Sequence, residues 1–335
     1  MRRVFTSLLA LIFVLSLVLF GGALWWLQQP MALKLQPGNT VVDLQIEPGT
    51  SANAVAEVVV DSGVDVPAIL LQAWFRFSGQ ARQIKAGSYE VVPGTTPRKL
   101  LSMLVRGEEA LKSVTLVEGW TFGQVLDALQ KAEQLKPDTK GLDGQTIMEK
   151  LGKPGIHPEG RFFPDTYTFA KGSSDLAVLK RAARAMDKRI EAAWALRSPD
   201  SPLKSPDEAL ILASIVEKET GKPSDRAQIA GVFINRLKIR MPLQTDPTVI
   251  YGMGKAFDGN LRKRDLQTDT PYNTYTRNGL PPTPIAMPGK AALMAAVQPE
   301  ATQALYFVAR GDGTSQFSPN LEEHNRAVNK YIRGQ

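Results

Sequence analysis

The 335-residue chain has no cysteine and only two histidines, His157 and His324. Without a thiol there is no Cys nucleophile, no disulfide framework, no iron–sulfur cluster and no Cys-based zinc site. Two histidines leave almost no room for a multi-His centre, so neither metal nor cofactor is expected. No phosphate-cradling Gly loop or EF-hand pattern is present. Neither histidine sits near a nucleophile elbow, which counts against a Ser–His–Asp scheme. Basic residues form no run longer than Arg262-Lys263-Arg264 and do not interleave with aromatics, so a nucleic-acid partner is not expected. The chemistry left to the chain is that of carboxylates and hydroxyls.

What is present is an ordinary globular composition, 43% hydrophobic and 22% charged, behind an unusual start. From Phe5 to Leu27 there is no charged residue, a run long enough to cross ~30 Å of hydrocarbon as a helix. Arg2 and Arg3 precede it and only Lys34 follows closely, an asymmetry that puts the N-terminus in the cytoplasm and the rest beyond the membrane. Trp25 and Trp26 fall where an interfacial belt would lie. A cleaved signal peptide is the rival, but its apolar core is normally shorter, and no A-x-A site follows. Taking away the two anchor arginines lowers the formal net charge from +7 to +5, suited to an exported domain near an anionic wall or membrane surface.

The exported part reads as α+β. After a short linker at Gln36-Pro37-Gly38-Asn39, a β-run, a Gly turn, a hydroxyl cap and a helical pattern recur from Ile46, Val91 and Leu116. The caps are Ser51, Thr96 and Thr121, whose oxygens can accept an orphan helix N–H. Val55, Leu100 and Val125 fall at the same offset, as a core contact would. Val66 to Phe77 adds an amphipathic helix, giving a small α+β module at 40–112. Residues 113–335 form a second, mainly helical body. Its expected helices run from Ser174 to Leu196, from a capping box at Ser205-Pro206-Asp207-Glu208 to a stop at Gly221 and Pro223, and from a Ser224 cap to Lys238. Residues 241–290, rich in Pro, Gly, Thr, Asn and Tyr, read as ordered loop, and Tyr306–Val308 with Gln316-Phe317 as a β-hairpin around Gly311-Asp312-Gly313.

In the segment Ala209 to Gly221, helical spacing puts Leu212, Ile215, Val216 and Glu219 on one stripe, with Ala213, Ser214 and Glu217 nearer solvent. A carboxylate on an apolar stripe is costly when ionised, and the helix C-terminus disfavours negative charge. Both effects raise the pKa of Glu219, as a general acid near neutral pH requires. A frayed, solvated helix end accounts for the same residues. The loops that follow collect polar donors and aromatics around Gln244, Thr245, Asp246, Tyr272, Asn273 and Tyr275, a mixture suited to sugar rings; internal bracing is the competing account. Asp246 is either a second carboxylate or a turn signal with Pro247. His157 reads as a loop hydrogen-bonder, and His324 as either a substrate-orienting or a local capping group.

Several stretches, in order, resemble the MltG (YceG-like) endolytic murein transglycosylases: Ala213 to Thr220, Val232 to Leu237, Leu243 to Gly252, Tyr272 to Tyr275, Gly279 to Pro282, Pro288-Gly289 and Tyr306 to Ala309. The resemblance implies a single-pass inner-membrane protein with an anchor at 1–30, a LysM-like module at 40–112 and a periplasmic catalytic domain at 113–335. It implies cleavage of the MurNAc–GlcNAc bond in nascent peptidoglycan strands without water, leaving 1,6-anhydro-MurNAc ends. Membrane peptidoglycan synthases are the implied partners. The family's catalytic Glu falls on Glu219; Asn235, Gln244, Thr245, Asp246, Tyr272, Asn273 and Tyr275 are expected to hold the sugars or support it. Two other readings stand beside it: a non-catalytic, anchored glycan-binding scaffold, and a hydrolase using Asp246 with Glu219.

Overall fold

The computed structural model describes residues 2–35, 40–219 and 222–334, and the side chains of these apart from 2–10 and 12. The linker at 36–39 and the helix stop at Gly221 therefore lie outside the described residues. The chain divides into two compact units, Met1–Lys112 with Phe169–Gly172, and Ser113–Thr168 with Ser173–Gln335.

The first unit contains α1 (Arg2–Trp26), β1 (Ala32–Leu33), β2 (Val42–Ile46), α2 (Ala52–Asp61), β3 (Val64–Asp65), α3 (Ala68–Phe77), β4 (Gly87–Val91) and α4 (Pro97–Arg106). β2 pairs antiparallel with β4, Val42 opposite Val91 and Ile46 opposite Gly87. Val42, Leu44 and Ile46 are buried while Asp43 and Gln45 face out, the period of two that a half-buried strand requires. Ser51 and Thr96 cap α2 and α4 by accepting from Ala54 N and Lys99 N. Val55 and Leu100 are fully buried behind those caps. Among the described residues no helix is long and apolar enough to cross a membrane. The described side chains of α1 begin at Leu11; Phe13, Leu17, Phe20 and Trp25 among its large apolar ones are exposed, while Trp26 packs partly buried against the unit's core.

β5 (Leu111–Thr115) pairs with β6 (Thr166–Ala170). The second unit holds α5 (Phe122–Lys131), α6 (Gly144–Lys150), α7 (Asp175–Ala195), α8 (Pro206–Glu219), α9 (Pro223–Lys238), α10 (Asp246–Met253), α11 (Lys263–Gln267), α12 (Lys290–Val297), β7 (Tyr306–Ala309), β8 (Ser315–Ser318) and α13 (Leu321–Val328). Thr121 closes a reciprocal capping box with Gln124 at α5. β7 and β8 form the expected antiparallel hairpin.

α8 is the central element, in contact with α7, α9, α10 and α12. Every residue from Ala209 to Val216 is buried, as for a helix apolar all round. Trimming one of its large side chains, such as Leu212→Ala, would cost about 2–5 kcal/mol. The one-stripe expectation is corrected here, because Ala213, Ser214 and Glu217 face protein, not solvent. Ser214 Oγ accepts from Ile285 N at 3.0 Å, and Glu217 Oε2 accepts from Gly289 N at 2.8 Å. Periodicity could not foresee that the 285–289 segment would cover the remaining face. Gly231 on α9 is required by a similar close approach, since a Cβ there would lie 2.6 Å from the Glu300 carbonyl oxygen.

Three local expectations also change. Ser205 Oγ accepts from Glu208 N, but Glu208 reaches back to Lys204 N instead of closing the box on Ser205. α9 starts one residue earlier than Ser224, with Pro223 in its first turn, where a missing N–H costs nothing. The 241–290 stretch is not mainly loop at its start: Asp246-Pro247 opens α10, and α11 follows.

Candidate active site

Glu219 is the last residue of α8 and is half-buried. Burial raises its pKa from 4.5 to about 6; the hydroxyl of Thr245 and the cation of Arg236 pull it back, and the charge of Asp246 pushes it up further. Thr245 Oγ1 donates to Glu219 Oε1. The carboxyl thus has one oxygen held and the other without a partner in the described hydrogen bonds.

A network of buried threonines aims that hydroxyl. Thr245 N donates to Thr274 Oγ1 at 3.1 Å, Thr248 Oγ1 donates to Thr245 O at 2.8 Å, and the Thr248 and Thr274 hydroxyls are 2.9 Å apart. Gln244 just before has φ of 49°, a left-handed conformation costly for a non-glycine residue. It is fixed by a bond from its N–H to Thr274 O at 3.0 Å.

Glu219 opens into a cleft of about 460 Å³, with Gln244, Asp246, Tyr275, Arg236, Tyr306 and His324 among its walls. Asp246 is exposed in the first turn of α10, where the helix dipole suits negative charge, and accepts from Tyr275 OH at 2.5 Å. Arg236 is buried and donates to Leu305 O and Leu243 O, each at 2.7 Å. Its guanidinium lies 5.2 Å from the centre of the Tyr306 ring. His324 stacks on that ring at 5.1 Å, and burial with the nearby Arg236 charge lowers its pKa. Its buried Nδ1 has no hydrogen-bond partner among the described residues. The cleft can therefore present one protonated carboxyl, an aromatic wall and several amide and hydroxyl edges to a neutral hydroxylated ligand.

Of the residues picked from the sequence, Glu219, Thr245, Gln244, Asp246 and Tyr275 come together. The other three do not line this cleft. Asn235 braces the backbone by donating to Thr302 O at 2.7 Å and Ala304 O at 3.1 Å. Asn273, wholly buried, donates to Thr268 O at 2.7 Å and accepts from Tyr275 N at 2.8 Å. Tyr272 packs edge-on against Tyr251 and bonds Thr283. Sequence reasoning missed Arg236 and Tyr306. Arg236 carried a usable signal, since it falls on the apolar face of α9 with Ile229, Val232 and Phe233, the anomaly that exposed Glu219. The loop after His157 also carries Glu159, for which the sequence offers no signal. His157 Nδ1 does accept from Glu159 N at 3.2 Å, but Glu159 is a second buried acid. Its oxygens accept from Phe122 N at 2.9 Å and Tyr251 OH at 3.0 Å, and burial raises its pKa to about 7.

A lone half-buried acid, backed by a hydroxyl and facing an aromatic, hydroxyl-lined cleft, marks a class of enzymes working on sugar polymers by general acid–base chemistry. The chain belongs to the YceG-like family, whose model matches residues 44–330. It is 33% identical over 335 residues to the endolytic murein transglycosylase of Bacillus subtilis, covering 94% of this chain and 91% of that one. It is 27% identical to the endolytic murein transglycosylase of Streptococcus pneumoniae, covering 87% of this chain and 58% of that protein. The crystal structure of a yceG-like protein from Listeria monocytogenes matches with a TM-score of 0.55 and 30% identity, over 85% of this chain and 98% of that one.

Proposed function

We propose that this protein is an endolytic murein transglycosylase, cutting the MurNAc–GlcNAc bond inside peptidoglycan strands and leaving 1,6-anhydro-MurNAc ends. The observation that carries the reading is Glu219, an acid with a pKa raised to about 6, held by Thr245 at the edge of the cleft. Protonated Glu219 donates to the glycosidic oxygen as the C1–O bond breaks through an oxocarbenium-like state. Its carboxylate then takes the proton from the C6 hydroxyl of the same MurNAc as that oxygen closes on C1. One group serves as acid and then base, so the proton balance closes and no second carboxylate is needed. The C6 hydroxyl outcompetes water because it is already tethered beside C1. Gln244, Asp246 and Tyr275 line the sugar's path, while Thr245 holds the acid.

The presence of Asp246 in the same cleft favours one second reading, a two-carboxylate hydrolase. Mass spectrometry of peptidoglycan digested by the purified protein decides between them, because an anhydro end weighs one water less than a reducing end. Anhydro ends that vanish in Glu219→Gln are the expected result, and only reducing ends would overturn the non-hydrolytic mechanism. Unchanged biological output in Glu219→Gln would favour the scaffold reading.

The same proposal places the protein at the inner membrane, with α1 as anchor, the N-terminus cytoplasmic and the cleaving domain periplasmic. The charge-free run from Phe5 to Leu27 and the exposed apolar side chains of α1 support this. The 40–112 module is proposed as a LysM-like glycan contact. A cleft of about 390 Å³ beside β2 and β4, with Asp43, Gln45, Glu47 and Ser88 in its wall, gives it polar groups to do so. Strands would reach the enzyme as they leave membrane synthases, the proposed partners. Reporter fusions at either end of α1 and co-purification of synthases with the full-length chain test these placements.

A further inference from the structure

The second unit contains another, larger cavity, of about 880 Å³. Both cavities fall in the range of ligand pockets, roughly 300–1,000 Å³. Neighbouring residues of the chain divide between the two. Lys218 lines the second while Glu219 lines the first; Pro247 lines the second while Asp246 lines the first. Consecutive Cα atoms lie ~3.8 Å apart, so on both α8 and α10 the chain steps from one cavity to the other in a single residue.

The chemistry of the second cavity suits the same polymer. Tyr251 and Tyr272, 4.9 Å apart and edge to face, give it an aromatic wall, and the apolar faces of sugar rings pack on such surfaces. Thr121 and Gln124, at the first turn of α5, supply polar edges, and Lys218 and Lys255 supply positive charge. Glu159 takes no free part in this wall: its bonds from Phe122 N and Tyr251 OH are already made, and it serves to fix the Tyr251 ring against α5. An enzyme cutting inside a strand must hold sugars on both sides of the broken bond.

We propose that this second cavity is a glycan subsite, holding the strand on the far side of the scissile bond with carboxylate-bearing peptide arms directed at Lys218 and Lys255. The proposal rests on the cleavage reading above and adds to it where the rest of the substrate lies.

Gly123 gives a clean test. It lines the cavity, and a Cβ built on it meets only Thr121 Oγ1, at 3.8 Å. A large side chain there fills the cavity without disturbing α5 or touching the Glu219 cleft. In the full-length protein, Gly123→Trp is expected to raise KM for glycan strands about ten-fold, with anhydro ends still the product and the melting temperature retained. Lys255→Glu is expected to raise KM about three-fold, more at low salt than at high, on strands carrying stem peptides and not on strands stripped of them. Unchanged KM and product lengths in a folded Gly123→Trp protein would overturn the subsite. Should Gly123→Trp not fold, Lys255→Glu decides, and equal KM on both substrates overturns the proposal. Sedimentation of intact strands with Glu219→Gln, with and without Gly123→Trp, reads the subsite without any cleavage. A wild-type protein that leaves no anhydro ends while Gly123→Trp still weakens that binding would refute the cleavage mechanism and keep the subsite.

Discussion

The loop at Glu159 and the end of α8 at Glu219 each place an acid in poorly hydrated surroundings, and burial is the largest cause of both raised pKa values. They differ in what the oxygens meet. Glu159 is 3% exposed, and both oxygens receive fixed donors. Glu219 is half-buried and has one hydroxyl on one oxygen. Desolvation alone does not make a catalytic acid; an oxygen left for the substrate does. On the proposed reading the first carboxyl is a structural tie and the second the reactive group.

The largest effect expected from breaking this comparison is at Glu219. Glu219→Gln should reduce anhydro-end formation by about a thousand-fold, within the usual 10²–10⁴ for a general acid, while the melting temperature holds or rises because a buried titratable group is gone. Glu159→Ala should do the reverse. It leaves Phe122 N–H and Tyr251 OH without an acceptor, a loss of about 2–4 kcal/mol by denaturant unfolding, with the anhydro product retained.

The pH dependence separates the two acids again. The folded-state pKa of Glu159, about 7, lies above its ordinary 4.5, so the fold binds the extra proton. That contribution is full below pH 4.5 and is lost as pH rises through 7, roughly 3 kcal/mol in all. Unfolding of Glu159→Gln should therefore fall less between pH 5 and 8 than that of the wild type.

Thr245→Val sharpens the Glu219 side. The hydroxyl favours the ionised carboxylate, so its removal should move the alkaline limb of the kcat/KM profile from about pH 6 to higher pH and lower the maximal rate about ten-fold. The smallest effect is expected from Tyr275→Phe, which frees Asp246 of its one phenolic donor. A rise in KM of about three-fold, worth under 1 kcal/mol, with unchanged product mass would fit a lining role for both residues. A complete loss would make Asp246 chemically essential and revive the hydrolase.

The parts of the fold visible in the sequence were those set by neighbours in the chain. Ser51, Thr96 and Thr121 cap the helices they precede, and the hairpin around Gly311-Asp312-Gly313 closes as its turn residues require. Glu219 was visible because a carboxylate among Leu212, Ile215 and Val216 is an anomaly that needs a reason. Asn235 and Asn273 spend their amides on backbone carbonyls, which the sequence does not reveal, because a polar residue near the site looks the same whether its partner is a sugar or a backbone carbonyl. Glu217 misled for a related reason: helical spacing gives the faces of α8 but not that the 285–289 segment lies over one of them.

The sequence alone determined where the helices begin, which residues are apolar enough to bury, and that one acid would sit among them, since these follow from hydrogen bonds and hydrophobicity within a few residues. Only the tertiary structure decided which acid has both oxygens bonded among the described residues, which polar groups spend their bonds on backbone, and that Lys218 and Pro247 line one cavity while Glu219 and Asp246 line another. Those outcomes depend on donors and walls brought from segments tens of residues away, whose arrival no local pattern encodes.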